Sequence, residues 1–144
     1  MQTQLDDSRF KLILQEKGLR LTKVRTLVYS ALQSADGPLT TRQIVDICKQ
    51  VHFVSIYRTI DVFLQSGIIK QVPIGFKNKY ELSDAFKPHH HHVTCDICGR
   101  SVAVNQQSIE RLMSRITQAA DMTPTHHHFE AYGICSMCTS AIAK

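Results

Sequence analysis

At 144 residues the chain has room for one ordinary domain or two small ones. Hydrophobic residues make up 43% and charged residues 20%, a balance that supports packed cores and excludes a disordered chain. The net charge of +5 is uneven: residues 8–80 carry twelve Lys/Arg against four acids, and residues 87–144 carry five against four.

A locally basic folded segment points to nucleic acid, with a solvated charged surface as the plainer alternative. No apolar run approaches the ~20 residues that span a bilayer, and the stretch from Met1 to Arg9 is polar, unlike a secretory leader. A cytoplasmic protein without membrane partners is expected.

Helix signals dominate up to Ser66. Phe10, Ile13 and Leu14 mark an amphipathic first helix stopped by Gly18. Thr22 is placed to cap a second, with Val24, Leu27, Val28, Ala31 and Leu32 on its inner face. After the turn at Asp36-Gly37-Pro38, Thr40 or Thr41 starts a third helix whose stripe is Ile44, Val45, Cys48 and Val51. Ser55 is expected to cap a fourth, with Ile56, Ile60, Phe63 and Leu64 inward and Gly67 as its stop. Two β-like runs, Ile68 to Ile74 and Phe76 to Leu82, then read as a hairpin. Helices followed by a two-stranded hairpin are the layout of a winged helix-turn-helix, in which the fourth helix here would read DNA. A boundary falls at 83–88, so the expected division is a winged-helix DNA-binding domain over 1–84 and a smaller metal-binding domain over 85–144.

The second part is organised around metal-ligand chemistry. Cys95/Cys98 and Cys135/Cys138 are two Cys-x-x-Cys hooks, and seven of the eight histidines lie near them. Two such hooks can saturate one tetrahedral zinc, with bonds near ~2.3 Å; in a reducing compartment this outweighs a disulfide reading. Cys48, on an apolar helical face, reads as a small core residue. In an extended segment alternate side chains share a face, so His89 and His91 point one way and His90 and His92 the other. Ile109, Leu112, Met113, Ile116 and Ala120 give the intervening helix one apolar face, and His126 to Ile134 is strand-like. About 56 residues is small for an independent core, so zinc and dimerisation are both expected to add stability.

Several segments together resemble the ferric uptake regulator (Fur) family of metal-dependent repressors. They are Gly18-Leu-Arg-Leu-Thr-Lys-Val-Arg25, Val54-Ser-Ile-Tyr-Arg-Thr-Ile60, Ser66-Gly-Ile-Ile69, Tyr80-Glu-Leu82, the run from His89 to Gly99, and Tyr132-Gly-Ile-Cys-Ser-Met-Cys138. The resemblance covers residues 8–139 in order. It implies an α+β chain: an N-terminal winged helix-turn-helix domain and a small C-terminal α/β dimerisation domain with structural zinc. It further implies a homodimer on palindromic, A/T-rich operator DNA, with metal occupancy fixing a DNA-competent arrangement.

By the same resemblance, Cys95, Cys98, Cys135 and Cys138 hold structural zinc (Zn2+). His89, His91, Glu110 and His127 form a regulatory site for zinc or iron (Fe2+). Many family members have aspartate where His91 stands; three histidines and one carboxylate suit zinc better than harder ions. A second site would use Glu81, His90 and His92. The family usually adds a histidine and another acid there, where this chain has Gly37-Pro38 and Ala103; Asp84, His126 and His128 are the substitutes at hand. Arg20 matches a residue that enters an A/T-rich minor groove. Ser55, Tyr57, Arg58, Asp61 and Gln65 would face the major groove, and Lys23, Arg25, Lys70, Lys77 and Lys79 the phosphates.

A metal-dependent repressor of uptake genes is the expectation, not an enzyme. Zinc sensing is favoured over iron by the His3Glu set and by Phe129-Glu-Ala-Tyr-Gly-Ile-Cys135, which is similar to zinc uptake regulators. Peroxide sensing is a third option. The competing classes are a metalloenzyme and a metal-buffering module, and neither accounts for a basic winged helix beside filled metal sites.

Overall fold

The structure is a computed structural model describing residues 2–74, 77–104, 106–125, 127 and 129–142. It divides into two units, Met1–Pro88 and His89–Lys144.

In the first unit, α1 (Gln2–Glu16) and α2 (Lys23–Gln33) precede a two-residue strand, β1 (Leu39–Thr40). Next come α3 (Thr41–Ile47), α4 (Phe53–Gln65) and the strands β2 (Ile69–Ile74) and β3 (Lys77–Leu82). Thr22 caps α2 by accepting from the Arg25 N–H at 3.3 Å. Thr40 caps α3 in a reciprocal box with Gln43.

The cap of α4 differs from expectation. The helix starts at Phe53, so Ser55 already lies in its first turn, and His52 is the capping residue. His52 Nδ1 accepts the Val54 N–H at 3.3 Å. Imidazole is an unusual cap, which is why the serine drew the expectation. Gly67 ends the helix at φ +71°, a conformation that glycine adopts without steric penalty.

The sheet order is β1-β3-β2, all antiparallel. Strand β1 was not anticipated: two residues carry no alternation signal, yet Leu39 and Thr40 pair with Tyr80 and Lys79. The core joins Phe10 and Leu14 to Val28, Tyr29 and Leu32, then to Ile44, Cys48, Ile56, Ile60 and Phe63. Phe10 stacks on Tyr29 at 4.1 Å and meets Phe63 edge-on at 5.7 Å. Cys48 is one of these core residues, and burial pushes its thiol up. The arrangement is a helix-turn-helix followed by a β-hairpin wing.

The second unit holds β4 (His91–Cys95), β5 (Ser101–Val104), α5 (Gln107–Ala119), β6 (Glu130–Gly133) and α6 (Ser136–Ile142). Its sheet runs β5-β4-β6, with β4 antiparallel to β5 and parallel to β6. Of the strand expected over His126 to Ile134, β6 covers Glu130–Gly133, while His126 and His128 lie outside the described residues; α6 was not anticipated because it is short and carries Cys138 of the second hook. Among the described residues, Cys95 is the one buried hydrophobic residue of this unit. Helix α5 buries none of its residues, despite its apolar stripe.

No helix among the described residues is long and apolar enough to cross a membrane.

Candidate metal centres and nucleic-acid interface

Sheet register builds the four-cysteine centre. Cys95 ends β4 opposite Gly133, the last residue of the parallel neighbour β6. The Asp96 N–H donates to the Gly133 carbonyl at 2.8 Å, so the two chain segments leave the sheet together. The first hook then turns through Gly99, whose N–H closes on the Cys95 carbonyl at 2.9 Å and whose φ is +71°. The second hook places Cys138 in α6.

All four Sγ atoms lie within 4.8 Å of one another, and Cys98 and Cys135 are 3.8 Å apart. A tetrahedron with ~2.3 Å metal–sulfur bonds has edges of about 3.8 Å. The electrostatics agree. Backbone N–H groups of Cys98 and Cys135 draw the Cys95 thiol down to about 6, whereas the Cys138 thiol is pushed up to about 12, foremost by its hydrogen bond with Cys135. Four crowded sulfurs resist full ionisation alone; a bound dication would remove that conflict. The residues present fit zinc.

The His/Glu centre gathers three separate segments. His91 opens β4, His89 precedes it by two residues, Glu110 lies in the first turn of α5, and His127 comes shortly before β6. Glu110 Oε1 is 2.8 Å from His91 Nε2, 3.3 Å from His127 Nε2 and 3.6 Å from His89 Nε2. His89 and His127 bring their Nε2 atoms to 3.2 Å. A tetrahedral site with ~2.0–2.1 Å bonds has edges of about 3.3–3.4 Å, so this set also fits one ion. The hydrogen bond to His91, with the other two imidazoles adding to it, holds the Glu110 carboxyl below its ordinary value. Phe129 packs edge-on against the His91 ring at 5.6 Å and fixes its plane; that contact could not be read from spacing.

The remaining candidate ligands are distributed differently. His90 and His92 belong to the second unit, their rings 4.9 Å apart. Ala103 lies directly across from His92 on β5 and offers a methyl group where a carboxylate would be needed. Glu81 is on β3 of the first unit, 3.3 Å from the Lys70 ammonium, which also meets Asp84 at 2.6 Å. Lys70 therefore neutralises two of the acids considered for metal, and is drawn away from a phosphate role. His126, His128 and the Lys77 side chain lie outside the described residues.

On α4, Ile56, Thr59, Ile60 and Phe63 face inward, leaving Tyr57, Arg58, Asp61 and Gln65 exposed; Ser55 is half-buried. Arg20 and Lys23 are exposed, while the Arg25 guanidinium donates to the Arg20 carbonyl. Lys79 is buried on β3, so its side chain is poorly placed for a phosphate.

The sequence profile described as the ferric uptake regulator family matches residues 16–132. A ferric uptake regulation protein of Campylobacter upsaliensis is 33% identical over 137 residues, covering 90% of this chain and 86% of that protein. The chain belongs to the ferric uptake regulator family.

A peroxide-responsive repressor PerR of Staphylococcus saprophyticus is 27% identical, over 94% of this chain and 91% of its own length. In fold, the chain is similar to the Helicobacter pylori ferric uptake regulator, described as having three functional metal-binding sites. The TM-score is 0.81 at 21% identity, covering 94% of this chain and 93% of that one. It is also similar to a zinc uptake regulator complexed with zinc and DNA, with TM-score 0.65 at 24% identity and coverage of 100% and 99%. As a Fur-family member, the chain is a metal-responsive, DNA-binding transcription regulator and not an enzyme. Val24, beside Arg25, packs against the core inside α2.

Proposed function

We propose that this protein is a homodimeric, zinc-responsive repressor of metal-uptake genes, acting in the cytoplasm on an A/T-rich palindromic operator. The single observation that carries the zinc reading is the convergence of three imidazole nitrogens and one carboxylate oxygen from His89, His91, Glu110 and His127 within 4.8 Å. Nitrogen-rich four-ligand sets suit zinc better than oxygen-preferring ions. In this reading Cys95, Cys98, Cys135 and Cys138 hold a second, structural zinc. Glu110 ties α5 to the start of β4 and His127 ties the approach to β6, so one bound cation would join three segments that the backbone leaves separate. Glu81, His90 and His92 are assigned no ion.

DNA contact is assigned to α4, with Arg58, Tyr57 and Ser55 in the major groove, Arg20 in the minor groove, and Lys23 and Arg25 on phosphates. The exposed stripe of α5 is assigned to the second protomer: Leu112 is 50% and Ile116 53% exposed. A two-fold dimer matches a palindromic site and doubles the few base contacts one helix can make.

Iron is the second reading, supported by the name of the Campylobacter relative. Peroxide sensing is weaker, because Ala103 opposite His92 removes an oxygen ligand from the neighbouring strand. The test is operator binding by protein that retains its cysteine-bound zinc, titrated against buffered free zinc and iron. Activation by zinc far below the iron requirement supports the proposal; activation by iron alone overturns it.

A further inference from the structure

We propose that Val54, with Phe53 beside it, is a specificity-determining residue that reads thymine methyl groups in the operator; the inference rests on α4 being the groove-reading helix. The buried stripe of α4 is Ile56, Thr59, Ile60 and Phe63. At ~100° per residue, Val54 lies on the opposite side, at the middle of a face completed by Tyr57, Arg58, Asp61 and Gln65. Val54 and Phe53 are 37% and 54% exposed.

Helix formation does not explain a valine there, since β-branched residues lower helix propensity. The local structure instead holds the apolar pair in place. His52 stacks on Phe53 at 4.7 Å and 26°, while its Nδ1 accepts the Val54 N–H. Phe53 in turn meets Tyr57 edge-on at 6.4 Å. Val54 is thus an exposed apolar side chain at the centre of an otherwise polar, groove-facing surface, flanked by Phe53 at the entry turn. On the base edges of the major groove its apolar counterpart is the thymine C5-methyl.

The experiment uses the full chain with its metals and a duplex selected by the protein from random sequence. Each thymine of that duplex is replaced in turn by deoxyuridine, which removes the methyl and keeps every hydrogen-bonding group. The wild type is expected to lose about fourfold in affinity at one or two positions per half-site, the value of one buried methyl(ene) group. Val54→Ala and Val54→Gln are both expected to bind the thymine and deoxyuridine duplexes equally at one of those positions, and Tyr57→Phe to remain sensitive there. Unchanged thermal unfolding shows that each variant is folded, and two variants keep the test alive if one is not. The proposal is overturned if no thymine is sensitive, or if both folded variants keep the full preference for thymine. Those results would leave sequence-specific binding intact, whereas failure of the wild type to select any sequence would overturn the reading of α4 itself.

Discussion

Removing the metal from the four-cysteine centre is expected to unfold the second unit while the first stays folded. The perturbation is chelation of wild-type protein, or Cys98→Ser. The magnitude follows from how little that unit buries. Fully burying one aliphatic side chain contributes ~1.5–3 kcal/mol, and among the described residues of 89–144 only Cys95 counts as a buried hydrophobic. Ordering the chain costs about 1.5 kcal/mol per residue, whereas a structural zinc contributes ~10–16 kcal/mol in apparent terms. The metal therefore decides whether β4, β5 and β6 stay paired. The first unit has Phe10, Tyr29, Phe63 and their neighbours, and needs no ion. Amide hydrogen exchange separates the two: protection in β4 and β5 should collapse on chelation while that in α2 and α4 persists. Persistent protection of β4 and β5 in metal-free protein would refute the reasoning.

Other outcomes follow from the same geometry. Arg58→Ala should lose ~1–3 kcal/mol on the selected operator and much less on random DNA, whereas Lys23→Ala should weaken both equally and reduce the slope of log affinity against log salt by about 1, measured by fluorescence anisotropy. Glu110→Gln should weaken metal binding at the His/Glu centre without reducing the zinc held by the cysteines, read by competition with a chromophoric chelator. Because the Glu110 carboxyl lies below its ordinary value in the fold, chiefly through His91, its stabilisation is present above the unfolded value and fades as pH falls through the lower folded one. Protons also compete with metal for the same lone pairs, so metal release on acidification should be steeper in wild type than in Glu110→Gln. Ile116→Lys places a charge in the exposed stripe of α5 and should shift sedimentation from dimer to monomer with two hooks still loaded; an unchanged dimer would place the interface elsewhere.

What the sequence disclosed, and what it hid, has a physical pattern. The hooks were legible because ligand chemistry fixes their spacing, and α4 because four inward residues repeat at helical period. The histidine alternation was legible because an extended chain has period two, and it brings His89 toward His91 and His90 toward His92 even though only His91 and His92 lie in β4. Features set by tertiary contact were not. β1 exists only because β3 is there to pair with it, and the apolar stripe of α5 stays partly exposed, with Ile109 and Met113 half-buried and Leu112 and Ile116 exposed. His52 displaced Ser55 as the cap because a ring nitrogen happened to reach the Val54 N–H. Lys70 is the sharpest case: as one lysine in a basic segment it read as a phosphate contact, but its partners Glu81 and Asp84 come from eleven and fourteen residues along the chain.

The central claim, that occupancy of the His/Glu centre is coupled to operator binding, is tested most directly by the reciprocal measurement. Zinc affinity at that centre would be determined with and without saturating operator, the cysteines loaded throughout. Linkage requires the operator to tighten zinc binding by the same factor by which zinc tightens operator binding. The account predicts a tightening of about 5–150-fold, the usual range of such couplings, lost in Glu110→Gln. Equal zinc affinity with and without operator would contradict it.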